Sequence, residues 1–204
     1  MEREEAIAKL DLLEGKNLHE IAIEFDVTVK TLDGKVNKGW AGHTIERFLG
    51  LPLNSSQSPN FGSWELKVIP LKVLTNGKIV IKETMAVTMI DPYQVERTEF
   101  QNSHLLAKLR KAIVVARVVG NDAMEPSMIR QVCSIDLSRD AYKIIEKDYE
   151  LVRECLTDPK RGFNALTGGM GTYIQPRTKG AGHGSISRAF YARKAYLATF
   201  IELD

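Results

Sequence analysis

Cysteine is nearly absent. The two present, Cys133 and Cys155, stand in no metal-type spacing. That excludes a cysteine-based zinc module and a disulfide framework, and it predicts free thiols in a reducing compartment. Long hydrophobic runs are missing as well: none approaches the roughly 20 residues that cross a membrane. The opening Met1-Glu-Arg-Glu-Glu5 is acidic and carries neither the basic nor the apolar region of a secretory signal. No repeat or low-complexity tract occurs. The expectation is a cytoplasmic globular protein. With 204 residues, 26% charged and 44% hydrophobic, the chain has room for one sizeable core.

The most informative scarcity is that of acids. Net charge is only +2, yet no Asp or Glu lies between Asp158 and Glu202, where Lys160, Arg161, Arg177, Lys179, Arg188, Arg193 and Lys194 are all basic. A second acid-free stretch, Phe100 to Asn121, carries Lys108, Arg110, Lys111 and Arg117. Acids crowd the beginning instead, from Glu2 to Asp26. Such segregation within one chain is the pattern of a polyanion-binding face.

What is present centres on Asn60-Phe-Gly-Ser-Trp-Glu65-Leu-Lys67-Val-Ile-Pro70. It reads as a loop feeding a short strand. Alternation puts Glu65 and Lys67 on one side of that strand and sends Leu66 and Val68 into the core. A carboxylate beside an ammonium on a rigid strand can hold a hard metal ion and position a water molecule, the chemistry of metal-assisted phosphodiester hydrolysis.

The remaining pattern predicts helices over 3–13 and His19–Phe25, the second capped by Asn17 with Glu20 at the capping-box position. Leu18–Val36 also resembles a helix-turn-helix with a second helix from Lys30. Lys38-Gly-Trp-x-Gly…Glu46…Leu-Gly50 predicts a helix that delivers Glu46 toward the strand, closed by a C-terminal glycine. After the strand Trp64–Lys72, Asn76-Gly77 predicts a type I′ turn, and Lys78–Ile90 an antiparallel partner strand. A basic helix is expected over His104–Lys111, a buried strand over Ala112–Val119 and another strand over 131–137. A long helix follows over 139–156 with Tyr142, Ile145, Tyr149, Val152 and Leu156 inward. Gly171–Pro176 is expected to be extended and Ser187–Phe200 helical. The class is α/β (α+β), a mixed central sheet flanked by helices.

Four of these pieces, in this order, resemble the MutH-type endonucleases and the related type II restriction endonucleases that cut at GATC. They are Lys38-Gly-Trp-x-Gly…Glu46…Leu-Gly50, Glu65-Leu-Lys67-x-Ile-Pro70, Asn102-Ser-His104…Lys108-Leu-Arg110, and Ile174-Gln-x-Arg177-x-Lys179-Gly180 with Arg188-Ala-Phe190-Tyr191. The resemblance spans about residues 18–200. It implies a restriction-endonuclease-like fold, a single DNA-binding and nuclease domain over 1–204 with a helical subdomain over 1–36, and cleavage of double-stranded DNA dependent on Mg2+, with Mn2+ as a substitute. Carried over residue by residue, it implies that Glu65, Lys67, Glu46 and Lys38 are catalytic, with Asn60, Glu65 and the Leu66 carbonyl as metal ligands. The DNA contacts it suggests are Lys108, Arg110, Lys111, Arg177, Lys179, Gly180, His183, Tyr191, Arg193 and Lys194. A mismatch-repair role would add a MutL-type activator as partner.

The family aspartate ahead of E-x-K is matched here by Asn60, which offers a neutral carbonyl oxygen and no charge. Two readings stay open: a sequence-specific endonuclease, and a non-catalytic DNA-binding effector domain on the same fold. A helix-turn-helix regulator ranks below both.

Overall fold

A computed structural model describes residues 1–51, 64–110, 112–122, 125–135, 137–180 and 186–203. Asn60, Lys111 and His183, together with most of the loop 51–60, lie outside the described residues.

The chain opens with helices α1 (Arg3–Asp11) and α2 (Leu18–Glu24). Asn17 caps α2 as expected: its side-chain oxygen accepts from the His19 N–H at 3.2 Å, and its amide donates to Glu20 at 3.2 Å. The helix-turn-helix expectation fails at the next step. Asp26 adopts a φ of 51°, and residues 30–36 form a tight turn in which Lys30 pairs antiparallel with Val36 around Gly34. The β-branched residues Val27, Thr28, Val29 and Thr31 and the Asp33-Gly34 dipeptide favour that turn over a helix. Helix α3 (Trp40–Phe48) then forms where predicted, and Gly50, at φ 68°, ends it.

Strand β1 (Glu65–Val73) runs parallel to β4 (Ala112–Val119), with Glu65 opposite Ala112. β2 (Ile79–Ile81) and β5 (Ser127–Ile135) pair antiparallel on either side, giving the order β2-β1-β4-β5. The β1–β2 turn differs from the type I′ expectation. Among the described non-glycine residues only Asp26 has a positive φ, so Asn76 does not supply one; Gly77 does, at φ 82°. Asn76 instead accepts the Lys78 N–H through its side chain at 3.1 Å.

The expected partner strand 78–90 is split in two. Lys82 N–H donates to the Pro70 carbonyl at 2.9 Å, but Pro70 has no N–H to return, so the ladder stops. The chain leaves the first sheet, and β3 (Met85–Met89) joins a second, antiparallel one of order β3-β7-β6, with β6 at Ile174–Thr178 and β7 at Arg188–Ala192. The helix expected over 187–200 is thus mostly strand. Backbone pairing with β6 overrides local propensity there, and only α7 (Lys194–Leu197) is helical. Helices α4 (Pro92–Arg97), α5 (His104–Leu109) and α6 (Arg139–Thr157) are capped by the side chains of Asp91, Ser103 and Ser138.

The first sheet is covered on both faces. Leu66, Ile113, Val115 and Ile129 pack against Leu10, Leu18, Ile21, Trp40 and Ile45 from α1 to α3. Ile69, Leu71, Val114 and Ala116 pack against Leu105 and Leu109 of α5, Ile145 and Tyr149 of α6, and Phe190 of the second sheet. Glu65 and Lys67 therefore sit at the start of a strand whose same face, further along, is core. Both cysteines are buried and free, and burial holds the Cys133 thiol up at about 12.

Candidate active site

Glu65, the first residue of β1, is 1% exposed. A carboxylate so placed needs compensation, and two ammonium groups provide it. Lys67 Nζ stands 2.7 Å from Oε1, and Lys108 Nζ stands 3.3 Å from Oε1 and 3.4 Å from Oε2. Lys67 follows from β-alternation. Lys108 follows from the helix period: it shares the inward face of α5 with Leu105 and Leu109, and it is buried with them. Burial lowers the proton affinity of the Lys108 ammonium. The Glu65 charge opposes that shift, and the charges of Lys67 and Lys179 add to it.

Glu46 arrives from α3, on which Trp40, Ala41 and Ile45 face the core. Burial pushes its carboxyl above the ordinary carboxylate range. The charge of Glu65 pushes the same way, while His43 and Lys67 pull it down. Glu46, Glu65, Lys67 and Lys108 therefore make one electrostatic unit at the start of β1, and Lys179 of the segment after β6 lies within its field.

The sequence-predicted residues divide accordingly. Lys108, expected among the DNA contacts, is buried against Glu65. Lys38 stands exposed in the turn ahead of α3, and the charges that shape Glu46 are His43, Glu65 and Lys67 instead. Leu66 turns its side chain into the core on the α1–α3 side. Arg177 is exposed on β6, where it donates to Thr84 Oγ1 at 2.8 Å and lies 5.4 Å from the Tyr191 ring centroid. Tyr191 is on strand β7, not on a helix. Arg193 is turned inward, donating to the carbonyls of Gly168 at 2.7 Å and Met170 at 2.9 Å. Arg110, Lys179, Gly180 and Lys194 are exposed. Sequence reasoning missed His43, three residues before Glu46 and so on the same face of α3, and Thr84, whose only sign was its place at the break between β2 and β3.

The site thus sits on a mixed sheet of an α+β fold, with a glutamate–lysine pair opening one of its two parallel strands. Comparison with known proteins gives these similarities. Residues 49–148 match the family model described as DNA mismatch repair enzyme MutH. The chain is 25% identical over 184 residues to the type II restriction enzyme Sau3AI of Staphylococcus aureus, covering 82% of this chain and 37% of that protein. It is 28% identical over 218 residues to the DNA mismatch repair protein MutH of Actinobacillus pleuropneumoniae, covering 98% of this chain and 92% of that one. The chain thus spans well under half of Sau3AI but nearly the whole of MutH. A solved complex of the restriction endonuclease MvaI with its cognate DNA overlays at a TM-score of 0.38 and 11% identity, covering 92% of this chain and 94% of that one. The chain is thus similar in sequence to the MutH-type endonucleases and to a type II restriction enzyme.

Proposed function

We propose that the protein is a magnesium-dependent, sequence-specific endonuclease that hydrolyses phosphodiester bonds of double-stranded DNA, with GATC as its site. One observation carries the reading: a buried Glu65 at a strand start, gripped by Lys67 and Lys108 and electrically coupled to Glu46.

The donor set fits a hard cation. Glu65 and Glu46 offer carboxylate oxygens, the ligands magnesium prefers, and the repulsion felt at Glu46 is what a divalent ion relieves. Glu65 and the Leu66 carbonyl would hold the ion with Glu46, and Asn60 would add a neutral oxygen. The chemistry such an ion supplies is a lowered pKa for bound water and charge neutralisation at the phosphate. Lys67, 22% exposed, reaches from Glu65 toward solvent and would orient the attacking water. Lys108 would steady Glu65 and keep positive charge beside the phosphoryl oxygens as they gain negative charge. Arg177 on β6 would read guanine O6 and N7, while Arg110 and Lys194 would hold phosphates. In a mismatch-repair setting a MutL-type protein would be the activator.

Asn60 in place of the family aspartate favours a second reading, a DNA-binding effector domain without cleavage. A supercoiled-plasmid assay across magnesium and manganese concentrations separates the two. Cleavage by the parent chain, or by Asn60→Asp with its restored charge, is the expected result. Intact DNA binding with no cleavage by either chain would overturn the nuclease in favour of the effector domain.

A further inference from the structure

We propose that Asp148 is a positioning residue for DNA recognition, which fixes the hairpin of β6 and β7 at the angle that presents Arg177 and Lys179 to the duplex. The proposal rests on the reading that this hairpin contacts DNA.

Asp148 lies on α6 and is 4% exposed. It accepts three successive backbone N–H groups, those of Thr172, Tyr173 and Ile174, each at 2.7 Å. Short bonds from several amides to one buried carboxylate are the strong, charge-assisted kind. All three donors belong to the few residues that lead the chain into β6, two to four positions before Pro176 and immediately upstream of Arg177.

The same segment is held from its other side. Arg193, directly after β7, donates to the carbonyls of Gly168 and Met170, and its own N–H donates to the Tyr173 carbonyl at 2.8 Å. An anion on α6 thus gathers the loop's N–H groups while a cation at the end of β7 gathers its carbonyls. Between them Gly171 takes a φ of 75°, and a Cβ there would collide with the Ile174 carbonyl oxygen and stand 3.1 Å from Asp148 Cγ. The Ile174 carbonyl excludes even a methyl group there, and the carboxylate stands in tight contact behind it.

This tether fixes a hairpin that is paired along its length and so moves as one body: Arg177 lies opposite Ala189, Thr178 opposite Arg188, and the Lys179 N–H donates to Ser187 O at 2.9 Å. Releasing the base would swing Arg177 off the groove while leaving Arg110 and Lys194, on other elements, where they are. Sequence preference should fall, and general affinity for DNA should not.

The test compares binding of the parent chain and Asp148→Asn to a GATC duplex and to the same duplex with the tetranucleotide scrambled, below the unfolding temperature of both. Asparagine keeps the volume but removes the charge and one acceptor oxygen. The expected result is a tenfold or greater loss of preference for the GATC duplex, with affinity for the scrambled duplex changed by less than about twofold. In an Arg177→Ala background the substitution should cost little further preference, because the residue it positions is already gone. Equal preference in the folded variant and the parent overturns the assignment of Asp148. So does a parallel loss on both duplexes, the mark of a merely structural role. A parent that shows no preference overturns the recognition reading itself, and Asp148 with it. Should Asp148→Asn fail to fold, Asp148→Glu, which keeps the charge and displaces its oxygens, is measured against the same outcomes.

Discussion

Glu65 rests on two cations of unlike standing. Lys108 is buried beside it, whereas Lys67 keeps contact with solvent. Removing one partner of a buried ion pair leaves charge uncompensated and costs roughly 3–5 kcal/mol, so Lys108→Ala should lower stability to urea by about that amount. Lys67→Ala should cost about 1 kcal/mol, nearer the value of an exposed pair, yet abolish cleavage while sparing DNA binding. Equal destabilisation by the two would contradict the arrangement. Glu46 gives a prediction of opposite sign. Its folded-state pKa is raised, by burial first and by Glu65 next, so the folded chain holds that proton more tightly than the unfolded chain does. Stability from this group is present below the ordinary carboxylate pKa and is lost as pH rises through the raised value. Glu46→Gln should therefore melt higher than the parent at neutral pH, with the difference vanishing in acid, and should lose activity. Thermal melts across pH read this directly. The pair Glu65 and Lys67 was legible in the sequence because strand alternation is a local rule. The convergence of Lys108 and His43 on the same centre depends on how α5 and α3 dock, which no single segment encodes.

At the scale of elements, legibility followed periodicity. α6 and β4 lie where the pattern put them, since a long amphipathic face and a continuous apolar run each permit one solution. The misread segments are short ones whose backbone partners are remote. β7 took the form of a helix in the sequence because Ser187–Phe200 has helix-compatible spacing, and only β6 and β3 on either side make it a strand. Lys78–Ile90 looked like one strand because the effect of Pro70 on its neighbour's ladder is invisible until the two are paired. The 168–174 loop leads into β6, the edge strand of the second sheet, and is held by Asp148 and Arg193. Gly171→Ala demands a left-handed φ from a residue with a Cβ and drives that Cβ into the Ile174 carbonyl. Such strain costs on the order of 1–3 kcal/mol for the conformation alone, before the clash. The expected outcome is a clear loss of thermal stability with faster amide exchange at 172–174 than in β1 or β4. Unchanged exchange there would mean that the loop has another way to close.

For the whole molecule, the uneven charge seen in the sequence survives folding only in part. Of the cations in the two acid-free stretches, Lys108 is committed to Glu65 and Arg193 to backbone carbonyls. Arg188 donates to the Leu166 carbonyl and Thr178 Oγ1. Arg117 lies on the opposite face of the sheet, over the Trp40 ring at 5.0 Å and bonded to Ser127 Oγ at 2.6 Å, with burial drawing it down to about 10. Arg110, Lys160, Arg161, Arg177, Lys179 and Lys194 remain exposed. Each phosphate that such a group neutralises releases about 0.9 of a condensed counterion, so these six, the exposed cations among the described residues of the two stretches, can contribute a slope of about −5 to log affinity against log salt. A fourfold rise in salt should then weaken duplex binding by tenfold or more even if only a few of them engage. Arg110→Ala and Lys194→Ala should each flatten the slope by about one and weaken all sequences alike. Arg117→Ala, on the far face, should leave the slope unchanged although its charge is equal. A salt titration of the parent and the three variants on one random duplex decides the matter. A slope near zero, or an Arg117→Ala slope as flattened as the others, would move the DNA-binding face away from the surface shared by Glu65 and the β6–β7 hairpin.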